Sequence, residues 1–358
     1  MLFVVANGLS TVVSSIVGTE KKNLRSNVSK INYRNYQLIR VFVNTENHVA
    51  DLHNLRDAEP EDIKFWSFPN LNRYPKMIEL ITIGHSYEGQ PIKMAKVSTG
   101  LKKDGERKPA IWIDAGMHGR EWIGSAVATY ILSQLVERNS TYSKLLDNSD
   151  WMILPVVNPD GYEYSHIGDR FWRKTRSNHA ESQEDSRWFW TKCEGVDPNR
   201  NFAYHWDPCQ ETYSGPFAFS EPETKAMADY ILANKQHIRM YLTLHSYSQM
   251  WLLPWGHTRS KPSDYSDMIN VAKKAINAIT KVHGTHYQLG PVTDLMYPIS
   301  GASDDWAKGV AGIKYAYTVE LRDRGTYGFL LPAAQIVPTA REIWAGIRAI
   351  ARLVTCNT

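Results

Sequence analysis

The chain reads as an α/β protein, and two features of the sequence predict it. Short apolar runs of the kind buried in a sheet alternate with longer segments of helical period. Chemistry-bearing residues fall just beyond the ends of those runs, where an open α/β sheet forms its cleft. In chain order, Tyr36–Val43 (YQLIRVFV) is a strand and Thr45–Arg56 a helix, both within a small separate unit, Ile31–Phe68. Ala110–Asp114 (AIWID) is a short buried strand. Glu121–Glu137 is a helix, with Ile123, Val127, Tyr130, Ile131 and Leu135 at its spacing. Trp151–Val157 is the next strand. Ser220–Lys235 is a helix whose Ser-Glu-Pro-Glu start supplies a cap, a first-turn proline and a glutamate at the capping-box position. Met240–Leu244 and Tyr315–Leu321 are further strands. Thr339–Leu353 is a closing helix with Thr-Ala-Arg-Glu as a second capping box. There is no internal repeat and no low-complexity tract.

The 358 residues suit one α/β domain with a short appendage, and 43% hydrophobic with 22% charged content suits a large core. A net charge of +4, from 41 bases against 37 acids with no dense basic run, speaks against a nucleic-acid partner. Residues 1–18 are apolar and uncharged and resemble a secretory signal, although no basic segment precedes them and Asn, Ser and Thr interrupt them. That stretch is too polar and short for a membrane span, and no other segment qualifies. Sequons at Asn27 and Asn139 are compatible with secretion. Of the cysteines, Cys193 and Cys209 flank a short segment and can bridge in an oxidising compartment, which leaves Cys356 free. The expected location is extracellular.

One pattern carries chemistry. His118 and Glu121 stand three residues apart where a strand hands over to a helix, and His245 follows far downstream in LHSYSQ. A tight turn would aim the first pair at one point, and the distant histidine makes a third ligand. Three protein ligands leave the fourth position of a zinc shell open, as catalysis requires. An HxxE pair alone is common by chance, so its surroundings decide.

Those surroundings resemble the zinc metallocarboxypeptidases of the pancreatic A/B type, from about Tyr74 to the C-terminus. The matching segments, in order, are HSYEGQPI (His85–Ile92), MHGREW (Met117–Trp122), NPDGY (Asn158–Tyr162), RFWRKTR (Arg170–Arg176), DPNRNF (Asp197–Phe202), LHSYSQ (Leu244–Gln249), VELRDRGTYGFLLP (Val319–Pro332) and IVPTAREIW (Ile336–Trp344). The resemblance implies a mixed, mostly parallel twisted sheet of about eight strands with helices on both faces, preceded by a small partial α+β propeptide. It divides the chain into residues 1–18 (signal), 19–68 (partial propeptide) and 69–358 (enzyme). It implies one Zn²⁺ held by His118, Glu121 and His245, with Asp197 orienting the His118 imidazole from behind. Glu320 would be the general base and Arg173 the cation that stabilises the oxyanion. Asn199 and Arg200 would grip the terminal carboxylate of the substrate, Arg120 would act as an auxiliary carboxylate or subsite arginine, and Tyr297 would close over the bound peptide. Taken alone, Glu320 would read as an ion-pair partner of Arg322 or Arg324. Arg170, Lys174 and Arg176 are read as solvated surface charges. Cys193 and Cys209 match a family disulfide, and the expected enzyme is a monomer acting on peptide or protein C-termini.

Asp304, in SGASDDW, matches the base of the pocket for the departing side chain, where B-type enzymes carry aspartate and A-type enzymes an apolar residue. A buried carboxylate is costly unless paired, so Asp304 implies C-terminal Lys or Arg. Asp305 is left to cap the following helix, and Gly256 is permissive. The alternatives are an A-like enzyme, a zinc amidase (which Asn199 and Arg200 oppose), or a silent or incompletely folded variant. The chain also departs from the pattern. Phe68 is followed within a few residues by Tyr74-Pro75, so the second half of a propeptide, its activation segment for an activating protease and the first enzyme helix are missing. A skipped exon or faulty gene model accounts for this, with a truly shortened variant as the alternative. The Arg176–Cys193 loop is longer than usual and holds Glu181, Glu184, Asp185 and Trp188-Phe189-Trp190; it would shape the cleft rim, bind a partner, or be a disordered loop.

Overall fold

The computed structural model describes the backbone of strands at 2–7, 28–33, 36–41 and 63–66, and residues 74–179, 194–208 and 212–356, with only the backbone at Cys356. The expected Thr45–Arg56 helix, most of the Arg176–Cys193 loop, residues 68–73 of the Phe68–Tyr74 junction, Asn27 and both cysteines of the expected bridge lie outside the described residues. The first strands are β1 (Leu2–Asn7), β2 (Val28–Tyr33), β3 (Tyr36–Val41) and β4 (Ile63–Trp66), in the order β2-β3-β1-β4. Leu2–Asn7, read from composition as the start of a leader, pairs antiparallel with both β3 and β4.

The larger sheet has eight strands: β5 (Ile78–His85), β6 (Pro91–Val97), β7 (Ala110–Ala115), β8 (Asp150–Leu154), β9 (Ile238–His245), β10 (Met250–Leu253), β11 (Gln288–Pro291) and β12 (Tyr315–Glu320). Their order is β11-β10-β12-β9-β7-β8-β6-β5. The central run β12-β9-β7-β8 is parallel throughout, and β10 also runs parallel to β11. Antiparallel pairs β10–β12, β8–β6 and β6–β5 flank that run, so the sheet is mixed, as expected. Strands buried on both faces read as continuous apolar runs, and every residue of β7 is buried.

The alternation of side chains sorts the core into two layers. Ile111, Ile113, Met240, Leu242 and Leu244 pack with helices α1 (Trp122–Glu137), α5 (Tyr265–His283) and α8 (Ile336–Cys356). Trp112, Met152, Leu154 and Tyr241 pack on the other face, with Met227 and Ile231 of α4 (Pro222–Asn234) and Trp306 of α7 (Ser303–Gly309). Three short helices complete the list: α2 (Ser143–Asn148), α3 (Pro159–Ile167) and α6 (Val292–Leu295). Among the described residues no helix is long and apolar enough to cross a membrane.

Both expected capping boxes are corrected by tertiary contacts. The N-cap of α4 is Glu221, with no side-chain cap bond, and Glu223 instead accepts the Tyr87 N–H at 2.9 Å. Helix α8 starts at Ile336, so Thr339 lies inside it and bonds back to the Gln335 carbonyl. Glu342, the expected box glutamate, is buried and takes the Arg322 guanidinium together with His283 and Thr285. Strand β8 also ends at Leu154, earlier than Val157, because Pro155 supplies no N–H for the ladder.

Candidate active site

The site forms where the central parallel strands end. Glu320, the last residue of β12, pairs in register with His245, the last residue of β9. Strand β7 runs into the loop carrying His118, and the Glu121 N–H reaches the His118 carbonyl at 3.2 Å, closing a turn ahead of α1. That turn puts the two side chains of the HxxE pair on one point. Gly119 is required for it to seat: an added Cβ would stand 2.3 Å from the Gly161 carbonyl oxygen of α3. Asn158 of NPDGY holds the neighbourhood together, donating to the Met117 carbonyl at 3.2 Å and the Lys174 carbonyl at 2.9 Å. The Gly119 N–H donates to the Arg173 carbonyl, which sets Arg173 above the turn.

His118, Glu121 and His245 converge, all buried, as a group able to hold a metal ion. His118 Nδ1 lies 2.8 Å from Glu121 Oε1, His245 Nδ1 lies 2.9 Å from Glu121 Oε2, and the two Nδ1 atoms are 3.1 Å apart. Behind them, His118 Nε2 donates to Asp197 Oδ1 at 3.1 Å. His245 Nε2 donates to Thr243 Oγ1 at 3.1 Å, and that hydroxyl donates to Asp114 Oδ1 at 2.6 Å. With each Nε2 occupied as a donor, both Nδ1 lone pairs and a carboxylate face one another, an arrangement that a cation resolves. The donor set, two imidazole nitrogens and a carboxylate, is that of catalytic zinc, with both rings oriented from behind. Burial would raise the Glu121 carboxyl, but the adjacent His118 and His245 hold it well below the usual range.

Asp197 is the hub of the donors. Besides His118 it accepts Arg173 Nε at 2.9 Å and the Asn199 N–H at 3.0 Å. Burial opposes its charge, yet Arg173, Arg200 and His118 keep its carboxyl well below the ordinary value. Asn199 and Arg200 lie in the short turn Pro198–Arg200, where Arg200 donates to the Asn199 carbonyl at 2.8 Å and Asn199 Oδ1 accepts the Ser303 N–H at 2.9 Å. That bond leaves the Asn199 amide nitrogen for the cavity. Gly301, at φ +67°, lets α7 approach this turn, since a Cβ there would meet the Arg200 carbonyl oxygen at 2.2 Å.

A single cavity of about 330 Å³ is lined by His118, Glu121, His245, Glu320, Arg120, Arg173, Asn199, Arg200, Tyr297 and Asp304, so every expected side-chain contributor except the supporting Asp197 faces one space. Burial, then the Glu121 charge, raises the Glu320 carboxyl to about 7. The ion-pair alternative for Glu320 fails for Arg322, which is taken by Glu342. Leu252, Val292, Ile299 and Ala302 cluster as an apolar part of the cavity lining, to which Gly256, Thr318 and Asp304 also belong. Asp304 is 2% exposed and its Oδ2 has no hydrogen-bond partner among the described residues. Burial, then the charge of Asp305, pushes its carboxyl up to about 7.

Residues 69–346 match the zinc carboxypeptidase family model. The chain belongs to this family. It is 44% identical over 301 residues to carboxypeptidase B of Astacus astacus, covering 82% of the chain and 95% of that relative. It is 41% identical over 286 residues to carboxypeptidase A2 of Mus musculus, covering 77% of the chain and 65% of that relative. The structure of bovine thrombin-activatable fibrinolysis inhibitor in complex with tick carboxypeptidase inhibitor superposes with a TM-score of 0.72 at 38% identity, covering 87% of this chain and 97% of that one. The enzyme is therefore a metallocarboxypeptidase whose cofactor is Zn²⁺ and whose substrates are peptides. Relatives named A and B match at similar identity, so the choice of C-terminal side chain falls to the pocket.

Three expectations on individual residues are corrected. Arg170 is no solvated charge: it donates to the Arg120 carbonyl at 2.9 Å and stacks 3.6 Å above Trp122. Arg176 stacks 3.7 Å above Tyr164. Asp305 does not cap α7, whose N-cap is Ala302, but binds Gly256 and His257. The sequence reading missed Asp114 and Thr243 altogether. Their signal was a charge inside an otherwise apolar strand, which must have a buried partner.

Proposed function

We propose that the enzyme removes C-terminal Lys or Arg from peptides, and one observation carries the reading: a buried carboxylate oxygen of Asp304, without a hydrogen-bond partner among the described residues, in a cavity partly lined by apolar side chains. A lysine or arginine stem fits the apolar walls, and its cation supplies the missing partner. An apolar side chain would leave that oxygen stranded, at roughly 1–3 kcal/mol or more.

The remaining roles follow from what each group faces. Asn199, Arg200 and Arg120 offer donors to the terminal carboxylate, which confines cleavage to the last peptide bond. Tyr297, 48% exposed on the cavity rim, is free to fold over the bound residue. Held by His118, Glu121 and His245, zinc would supply a Lewis acid for the scissile carbonyl and for a water. Glu320 takes the proton of the attacking water and passes it to the departing nitrogen. Arg173, braced on Asp197, keeps its remaining guanidinium donors for the developing oxyanion. The same reading makes the protein a secreted monomer with a Cys193–Cys209 bridge, released by an activating protease where a full propeptide precedes it.

Peptides ending in Arg, Phe or Glu, assayed with and without a chelator, test the proposal. Preference for Arg, lost on chelation, is expected. Preference for Phe would refute the role of Asp304, and chelator-resistant cleavage would refute the zinc mechanism.

A further inference from the structure

Directly behind the specificity pocket lies a histidine pair that the mechanism does not use. His257 Nδ1 lies 2.7 Å from Asp305 Oδ2, and the His257 ring stacks on His205 with centroids 3.8 Å apart and planes 12° from parallel. Tyr204 and Trp255 close around the same ring. Asp305 is spent on this unit, accepting the Gly256 N–H at 2.9 Å and the His257 N–H at 3.2 Å as well. The Gly256 carbonyl in turn accepts the Ile299 N–H at 2.8 Å. The pocket wall at Gly256 and Ile299 therefore hangs from the Asp305 carboxylate, and the His257 imidazole is its side-chain partner.

The two carboxylates of Asp304 and Asp305 are consecutive and both buried. Asp305 has three donors on it; Asp304 Oδ2 has none among the described residues. We propose that His257 sets the charge of the specificity pocket: held on Asp305 as an imidazolium, it neutralises that carboxylate and leaves Asp304 as the free anion that binds a cationic side chain. His257 is thus a positioning residue acting through Asp305, and the proposal rests on the assignment of Asp304 to basic side chains. Among the described residues, the other groups set against the two carboxylates, Thr318 on β12, Tyr241 on β9 and Tyr204 beside Asp305, carry no positive charge. His205, stacked on His257, and Tyr204, edge-on to it, are the further titratable groups whose rings meet the imidazole among the described residues. Because the charge of Asp305 is one of the causes that hold Asp304 protonated, cancelling it lets Asp304 ionise at lower pH. The enzyme would then keep its grip on a basic side chain into mildly acidic solution, where an isolated pair of carboxylates would share a proton.

Binding of free L-arginine and L-phenylalanine to the zinc-loaded full chain, followed by calorimetry across a pH series, tests this. His257→Gln keeps a neutral donor in place of the imidazole but cannot carry its charge. It is expected to weaken arginine binding about tenfold near pH ~6 and progressively less at higher pH, where Asp304 ionises unaided. Phenylalanine binding should change far less. His257→Phe keeps the ring stack and should show the same acid-side loss; melting temperatures of both variants check that the fold survives. Equal weakening of both ligands, a loss of arginine binding that is uniform in pH, or no change in either variant would overturn the proposal. The controls separate its failure from that of the underlying reading. If wild-type protein prefers phenylalanine and Asp304→Asn leaves arginine binding unmoved, the assignment of Asp304 falls and takes this one with it. If Asp304→Asn abolishes the preference while both His257 variants keep the wild-type pH profile, only the role of His257 falls.

Discussion

Asp197 and Asp304 are both buried aspartates, one supporting the cavity from behind and one lining it, and their surroundings differ. Asp197 has His118, Arg173 and a backbone N–H on its two oxygens, and its carboxyl lies well below the ordinary value. Asp304 has an oxygen with no partner among the described residues, and its carboxyl is pushed up to about 7. Burial opposes the charge of both, so the neighbours decide: cations and donors surround Asp197, whereas the Asp305 carboxylate stands beside Asp304. A buried carboxylate with its donors in place acts as scaffolding that aims other groups. One left short of donors is an acceptor waiting for a ligand.

The largest effect should come from neither aspartate. Glu320→Gln keeps shape but removes the proton acceptor, and kcat should fall by about 10²–10⁴-fold with KM little changed. A KM effect alone would place Glu320 in binding instead. Next, Asp304→Asn should lower kcat/KM for an Arg-terminated peptide by roughly 30-fold or more, the cost of leaving a buried cation unpaired. The apolar-terminated peptide should lose far less, so the ratio of the two is the quantity to measure. For the other aspartate, Asp197→Asn should weaken zinc by about 10–100-fold in a chelator competition, as orienting carboxylates do. Thr243→Val, which cuts the weaker relay behind His245, should fall at the low end of that range. If Asp197→Asn changed specificity, or Asp304→Asn changed zinc affinity, the division between scaffold and acceptor would be wrong.

The smallest effect lies outside the cavity and asks whether the same reasoning holds for stability. Glu223 is fully buried, accepts the Tyr87 N–H at 2.9 Å, and is raised to about 7 by burial and by the charges of Glu221 and Asp160. Its folded value lies above the unfolded one, so protonation favours the fold. That contribution is complete below the ordinary value of 4.5 and is lost as pH rises through about 7. Glu223→Gln should therefore gain on the wild type above neutrality, by ~1 kcal/mol or more. Thermal melts at acid and alkaline pH would show it; a difference independent of pH would argue against a neutral Glu223.

The strand order of chemistry was legible in the sequence because its carriers sit at strand ends, where an apolar run stops and a polar motif begins. His118, Glu121, His245 and Glu320 all announce themselves in this way. What was not legible was the partner of a lone polar residue. Glu223 and Glu342 stand three residues after a capping hydroxyl, yet Tyr87 and Arg322, distant in sequence, claim them. Local spacing proposes a cap at no long-range cost, but a buried N–H or guanidinium elsewhere in the fold outbids it. The same blindness hid Asp114 in AIWID, whose partner Thr243 is 129 residues away in sequence but next door in the sheet. Arg170 was misplaced because stacking on Trp122 leaves no periodic trace.

The in-register pairing of Glu320 with His245 makes the spacing of the chain itself part of the chemistry. Successive residues of a strand face opposite ways, so sliding β12 by one position would present Val319 or Leu321 where the carboxylate belongs. Lengthening the Gly309–Tyr315 connection merely enlarges a turn, whereas one residue added within Tyr315–Glu320 scrambles the frame in which base and ligand meet. Tolerance to insertion should thus change abruptly at Tyr315, and a scan of single-residue insertions across that boundary would trace where the loop's freedom ends and the enzyme's ruler begins.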